Sequence, residues 1–303
     1  MNSVLFTKVL IFRNVKDYKF SHKLTQEQKQ EIINQTAAAL GNDYALLSIS
    51  GLDSKMLNYL NENSLINKNT TTIFLNKKEP ICIDLFNTEH FSIVATGEDA
   101  FAKANELLNL IQNKINIAYT DEYGFIGSNL NNIGTGIKLE SVMCLDAICG
   151  INKLEQVKQN IGMLGYILKP TSIKNIFEIS TKCSLGFSEV EIYDNFAKTI
   201  AKLQDLEVES IKMLDITSHD EILDNVNRSW AILNAAHMIN IEELTKSLII
   251  LRTGANLGIV DIERHKLNKL QKLVTNKTNY TTKEECKELA RLVKQIVKGE
   301  KDV

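Results

Sequence analysis

The stretch Thr70–Ala95 reads TTTIFLNKKEPICIDLFNTEHFSIVA. Its apolar, β-branched runs, Thr71–Leu75, Pro80–Phe86 and Phe91–Ala95, read as short strands, and Asn76-Lys77-Lys78-Glu79 reads as a hairpin turn. Connections this short join antiparallel neighbours, whereas a parallel crossover needs a dozen or more residues. The segment therefore predicts a meander rather than a βαβ unit.

Working outward, Val4–Phe12 and Tyr44–Ile49 are strand candidates upstream, and Val142–Leu145, Gly162–Leu168 and Ile176–Ile179 downstream. Helices are marked by their starts. Thr25-x-x-Gln28, Ser188-x-x-Glu191, Ser218-x-x-Glu221 and Thr282-x-x-Glu285 each fit a capping box, and Gly41 suits the end of the first helix. Phe101, Ala104, Leu108, Ile111 and Ile115 recur at helical spacing, which predicts an amphipathic helix over Asp99–Ile117. From Ser184 onward the pattern is helical, with one stripe at Ile222, Val226, Trp230 and Leu233 and another at Ile241, Leu244, Leu248 and Leu251. The fold expected is α+β: an antiparallel sheet flanked by helices over residues 1–210, then an all-helical region over residues 211–303. The pattern changes between Leu206 and Thr217.

Composition narrows the function. With 303 residues, 35 basic against 37 acidic and 44% hydrophobic, the chain has the makeup of a globular protein. Near-neutral charge argues against binding nucleic acid through a general basic field. Apolar runs such as Ser247–Leu251 are far short of the roughly 20 residues of a membrane span. The start MNSVLF has no signal-peptide pattern, and five Cys without a CxxC fit a reducing compartment, so a cytoplasmic location is expected. There is no P-loop, GxSxG, HExxH or GxGxxG, and none of His22, His90, His219, His237 and His265 stands at metal-ligand spacing with another, so no metal site is expected.

The informative segment is Gly127-Ser-Asn-Leu-Asn-Asn-Ile-Gly-Thr-Gly136. Two readings stand: a polar turn, or a loop that brings backbone N–H groups up to a ligand. Asn132-Ile-Gly-Thr-Gly136 followed by Ser141-Val142-Met143 resembles the "TN-[IVL]-GTG-[LM]-RASVM" segment of the ATP:guanido phosphotransferases, and more specifically of the bacterial protein arginine kinases. Further matches follow in order from about Lys8 to Tyr280. Arg13-Asn14 falls where the family reads "SRxRLARN". Asn175-Ile-Phe-Glu-Ile-Ser180, Leu185-Gly186 and Ser188-Glu189 match "GNIFQISN…TLGQSEE". Ser229–Ala236 and Leu251–Gly258 match "SYGILTNA" and "RLGIDLGL".

The resemblance implies an antiparallel sheet surrounded by helices and transfer of a phosphoryl group from ATP, with magnesium, to a guanidinium. In the family five arginines clamp the phosphates. Their positions fall here on Lys8, Leu10, Ser92, Lys138 and Lys169, so three become lysines and two lose their charge. The "NEEDH" positions read Phe86-Asn-Thr-Glu-His90. The catalytic Glu position falls on Asn87 or Thr88, and Glu89 is the one carboxylate left, a weak candidate for the base. The loop carrying the second Glu is missing between Lys169 and Asn175, and the family's active-site Cys falls on Asn129. His90 carries over as a pocket-wall residue or a plain strand residue. Arg291 and Lys294 fall in the segment where the family reads phosphoarginine, without its Arg-Asp pattern.

Each lost transition-state contact of this kind costs about 3 kcal/mol. Lys keeps a charge but not the bidentate fork. The expectation is a degenerate kinase, a pseudokinase that acts by binding or regulation. Lys8, Lys138 and Lys169 are either surface lysines of a Lys-rich chain or a phosphate-sized pocket, with His90 as its wall and Asn129, Asn132, Gly134, Thr135 and Gly136 as its loop. Such a pocket would bind ATP or ADP with magnesium, phosphate or a phosphorylated peptide without turnover. Two alternatives stay open: an active kinase with a rebuilt site, and a structural subunit that dimerises through the Ile222 stripe or keeps that stripe as internal core. The resemblance further implies, as partners, an active protein arginine kinase, a zinc-binding activator or a Clp-type unfoldase system.

Overall fold

In the computed structural model, which describes residues 3–97, 99–171, 173–182, 186–275 and 282–299, the quoted stretch is a three-stranded meander. β1 (Val4–Arg13), α1 (Gln26–Leu40), β2 (Tyr44–Ser48) and α2 (Ser54–Glu62) lead into β3 (Thr72–Asn76), β4 (Ile81–Leu85) and β5 (Phe91–Thr96). Then come α3 (Ala100–Gln112), the ribbon β6 (Tyr119–Thr120) and β7 (Gly124–Phe125), β8 (Ile137–Cys144), α4 (Asp146–Gly150), α5 (Leu154–Met163), β9 (Tyr166–Pro170) and β10 (Ile176–Thr181). The rear is α6 (Glu189–Ala235), α7 (Ile241–Asn256), α8 (Arg264–Thr275) and α9 (Lys283–Lys298).

Eight strands form one antiparallel sheet in the order β2-β3-β4-β5-β1-β8-β10-β9. Alternation sorts the side chains by face. Val9, Ile11, Ile83, Ile93, Leu139 and Ile179 are buried in the core shared with helices such as α3 and the front of α6. The opposite face divides. Toward β3 it has Ile73, Leu75, Cys82 and Val94 packed with Leu60 of α2, and buried Asp84 stands between Ile73 and Ser92. Across β1, β8, β10 and β9 it carries Lys8, Lys138, Glu140, Glu178 and Lys169.

The capping boxes at Thr25, Ser188 and Thr282 are formed with both reciprocal bonds. Ser218 behaves differently. It lies inside α6 at φ −145°, so the helix bends there and runs on through the predicted change of pattern. The Gly162–Leu168 candidate is corrected: α5 runs to Met163, and Gly165 at φ +84° turns the chain into β9. A separate core of the rear joins Val226, Leu233, Leu248, Leu270 and Val293, with Ile222 and Trp230 packed on it. The Ile222 stripe is thus packed within this chain. Ser184, Leu185 and Tyr280, at which sequence readings were placed, lie outside the described residues. Among the described residues no helix is long and apolar enough to cross a membrane.

Candidate functional site

The end of β1 and the turn from β4 to β5 meet in a buried polar knot. Phe86 takes a left-handed φ of +57°, and its N–H donates to the His90 carbonyl, which closes the turn and aims Glu89 and His90 inward. Glu89 is 0% exposed. Its carboxylate accepts from Asn14 Nδ2 (2.6 Å), Ser128 N (2.8 Å), Asn132 Nδ2 (2.9 Å) and Asn129 N (3.3 Å). Burial pushes this carboxyl up, but the hydrogen bonds from Ser128, Asn132 and Asn14 outweigh it and hold it below its ordinary value. The His90 N–H donates to Asn14 Oδ1, and its ring Nδ1 accepts from Val15 N at 2.9 Å. Nε2, 2.7 Å from the Lys19 carbonyl, therefore carries the proton. Burial lowers the imidazole pKa despite that contact and nearby Glu89, so the ring is neutral. Both ring nitrogens are occupied by backbone, and His90 is 0% exposed.

The same knot fastens the Asn/Gly-rich loop. Arg13, 1% exposed, donates to the Phe12 and Thr135 carbonyls and to Glu189 at the start of α6, and its guanidinium lies 3.6 Å from the centre of the Phe125 ring. Desolvation lowers its pKa to about 10, against the pull of Glu189, so it stays charged at neutral pH. Gly136, at φ +59°, sits so close that a Cβ would come within 2.8 Å of Arg13 Nη1 and of the Phe12 carbonyl. Gly134 pairs with Phe125 in both directions. Asn129 Oδ1 accepts from Asn131 N, while Asn132 reaches Glu89. The loop N–H groups of Ser128, Asn129, Asn132 and Gly134 thus serve acceptors within the chain. Beside the loop is a hollow of about 640 Å³ lined by His22, Asn87, Thr88, Ser128, Asn129, Leu130 and Asn131. It has amides and hydroxyls where the resemblance puts a carboxylate and a thiol.

Strand register gives the geometry of the five positions on which the resemblance places the phosphate clamp. Lys8 stands opposite Thr96 and Glu140, Leu10 opposite Val94 and Lys138, and Ser92 opposite Phe12. Lys169 stands opposite Glu178, which faces Val142. Opposed residues share a face, so Lys8, Leu10, Ser92, Lys138 and Lys169 all lie on the same side of the sheet. Lys8 Nζ is 3.8 Å from Glu140 Oε2, and Lys138 Nζ bonds Glu140 Oε1. Leu10 packs with the apolar cluster of α2 and β3, and Ser92 is buried. Lys169 is exposed, two strands beyond β8 and so about 10 Å from its row. The β9–β10 connection is tight: Thr171 Oγ1 bonds the Ile173 and Ile176 carbonyls, and Asn175 turns the chain at φ +60°.

Sequence reasoning missed Glu140. The signal was present, since a residue two places after Lys138 on a strand shares its face. Arg13 and Asn14 were read only as anchors of a motif, yet they organise the knot. Arg291 forms an ion pair with Glu288 one turn earlier on α9. The described residues contain no group of three or more His, Cys, Asp or Glu that could hold a metal ion.

The family model for the C-terminal catalytic domain of ATP:guanido phosphotransferases matches residues 6–210. Over 279 residues the chain is 27% identical to a protein-arginine kinase of Clostridium perfringens, covering 85% of this chain and 83% of that one. A protein-arginine kinase of Bacillus pumilus is 28% identical over 281 residues, covering 85% and 77%. Among solved structures, the substrate-free duplicated taurocyamine kinase of Schistosoma mansoni superimposes with a TM-score of 0.60 at 19% identity, over 68% of this chain and 33% of that longer one. A lombricine kinase gives 0.58 at 17% identity, over 67% and 66%. These two likenesses are of fold.

Proposed function

The chain belongs to the ATP:guanido phosphotransferase family, its similarity to protein-arginine kinases runs along most of its length, and on that premise we propose that it is a pseudokinase that works by binding another protein. The observation that carries this reading is the contrast between scaffold and ligand face. Arg13, Asn14, Glu89 and the loop are tied together by buried hydrogen bonds. The face that network supports offers Leu10 and Ser92 at two clamp positions and sets one carboxylate, Glu140, between Lys8 and Lys138.

Phosphoryl transfer is catalysed mostly by positioning and by cations that meet the developing charge. Two absent cations and two already paired ones leave little of either. The residues present do not fit a nucleotide triphosphate with magnesium. A carboxylate base is equally hard to supply. Glu89 would have to give up four hydrogen bonds to act, and Asn87 and Thr88 cannot take a proton from a guanidinium. The short β9–β10 turn leaves no loop to carry a second carboxylate.

The partner we propose is an intact member of the same family, or the zinc-binding activator or Clp-type unfoldase system that the resemblance associates with it. The test is direct. Purified protein, ATP, magnesium and an arginine-rich test protein should give no phosphoarginine above a protein-free control by mass spectrometry. Robust phosphoarginine, abolished by Lys138→Ala, would overturn the reading and make the chain a working kinase. Co-purification with an intact kinase expressed alongside it is the expected binding result.

A further inference from the structure

We propose that Glu140 is an internal anion that occupies Lys8 and Lys138 in place of a phosphate, and so determines that this face excludes polyphosphate ligands. The inference rests on reading the face as the site its relatives give to nucleotide, and deepens it by naming the residue that sets the ligand class.

The geometry is that of an anion held between two cations. Glu140 projects from β8 directly across from Lys8 on β1, with Lys138 two residues earlier on its own strand. Its two oxygens divide between them, Oε2 facing Lys8 and Oε1 bonded to Lys138. The Lys8 and Glu140 side chains are only 15% and 14% exposed, so the pairing is sheltered from water, while Lys138 at 40% leaves an open flank. Screening is weaker for such a sheltered pair than for surface charges. On the far side Glu140 faces Ser180, which brings no charge.

An incoming phosphate therefore meets a carboxylate already seated on the cations it needs. It must either displace Glu140, leaving that charge half-buried without a partner, or bind beside it against like-charge repulsion. Lys169 does not rescue the site, because it lies across the intervening β10, directly opposite Glu178. Neutralising Glu140 alone should free Lys138 and leave Lys8 with the weaker pull of buried Asp84, without altering the strand, since Gln keeps the shape of Glu.

The experiment is calorimetric titration of the full chain with inorganic tripolyphosphate at low salt. The wild-type protein should bind weakly or not at all. Glu140→Gln should bind at least tenfold more tightly, with an affinity that falls as salt is added, and adding Lys8→Ala to that variant should remove the gain. Melting curves check that each variant is folded, and Glu140→Ala serves as a second neutral variant. Equal affinity in the wild-type protein and both folded neutral variants would overturn the proposal. So would tight wild-type binding that weakens when Glu140 is neutralised, because Glu140 would then be helping to hold the ligand. Phosphoarginine formation by the wild-type protein is a separate readout. It would sink the pseudokinase reading while leaving the comparison of anion affinities to stand or fall alone.

Discussion

Replacing Glu89 by Gln tests whether the knot, rather than the ligand face, is what this chain has kept. The carboxylate is wholly buried and takes four hydrogen bonds, two from backbone N–H groups of the loop and two from Asn side chains. The amide would retain one acceptor oxygen and point an NH2 group at donors that have nowhere else to turn. A hydrogen bond to a charged group contributes about 1.5–3 kcal/mol, and a buried donor left unmade costs about 1–3 kcal/mol. These effects overlap, so the sum is best bounded by the loss of one partner from a buried charged network, about 3–5 kcal/mol. For a unit of some 150–250 residues that corresponds to a fall in Tm of roughly 10 °C. Urea unfolding followed by circular dichroism at pH 7 measures the loss, and amide exchange at Ser128 and Asn129 should quicken first. The pH dependence has a definite sign. Glu89 has a lowered pKa in the folded state, so its stabilisation is full above the ordinary carboxylate value of 4.5. It is lost as pH falls through the folded value, so the gap between wild type and variant should close in acid. A variant within about 1 kcal/mol of wild type at pH 7 would refute the assignment of the loop's anchorage to Glu89.

His90 should make the protein acid-sensitive over a higher window: its folded pKa lies below the ordinary 6.5, so its contribution is full above that value and declines as pH falls, when protonation of Nδ1 breaks the bond from Val15. His90→Gln should flatten that part of the stability profile in melts from pH 7.5 to 5. Glu207 of α6 has the opposite sign. It is buried and accepts from the N–H groups of Ala147 and Ile148 at the start of α4, and desolvation raises its pKa from 4.5 to about 7. Its share of stability is full below 4.5 and falls as pH rises through about 7, by about 3 kcal/mol for that interval, and Glu207→Gln should remove this slope in urea unfolding at pH 5 and 8. Gly254 of α7 packs so closely on α6 that a Cβ would come within 2.6 Å of Val226 Cγ1. Gly254→Ala should therefore destabilise by about 1–3 kcal/mol, although Ala is the better helix former; a stabilised variant in the same unfolding assay would contradict that packing.

The parts of the fold that could be read from the residues are those where local chemistry and tertiary packing agree. The meander was legible because Thr71–Leu75, Pro80–Phe86 and Phe91–Ala95 are apolar on both faces, and β3–β5 are buried on both. The three formed capping boxes were legible because the cap is a four-residue event. β8 was read only over Val142–Leu145, though it starts at Ile137, because Lys138 and Glu140 interrupt its apolar run. Their alternation with Ile137, Leu139 and Ser141 is itself the strand signal of a half-exposed face. At Ser218, where a helix start was read, two helical segments of α6 meet at a kink. At the site, the clamp positions were legible only through the resemblance. What they do was not, since the pairing of Lys8 with Glu140 joins strands more than 130 residues apart in sequence.

The retention of the knot and the alteration of the face follow from the different costs of changing them. Asn14 and Glu89 are buried and bonded to each other, and Arg13 is buried against Glu189 and the Thr135 carbonyl, so removing one leaves its partner as an unpaired polar group in a dry interior. Lys8, Lys138 and Lys169 reach a solvent-accessible face, where Arg→Lys keeps the charge and strands no donor. Leu10 even gains apolar neighbours beside α2. On the proposed reading, loss of the clamp would thus be cheap for stability and expensive only for phosphoryl transfer. An active chain would show the reverse constraint at Leu10 and Ser92, where a cation is needed and a neutral side chain stands. Restoring charge at one of these positions by Ser92→Arg alone should therefore give no phosphoarginine, because Glu140 still holds Lys8 and Lys138.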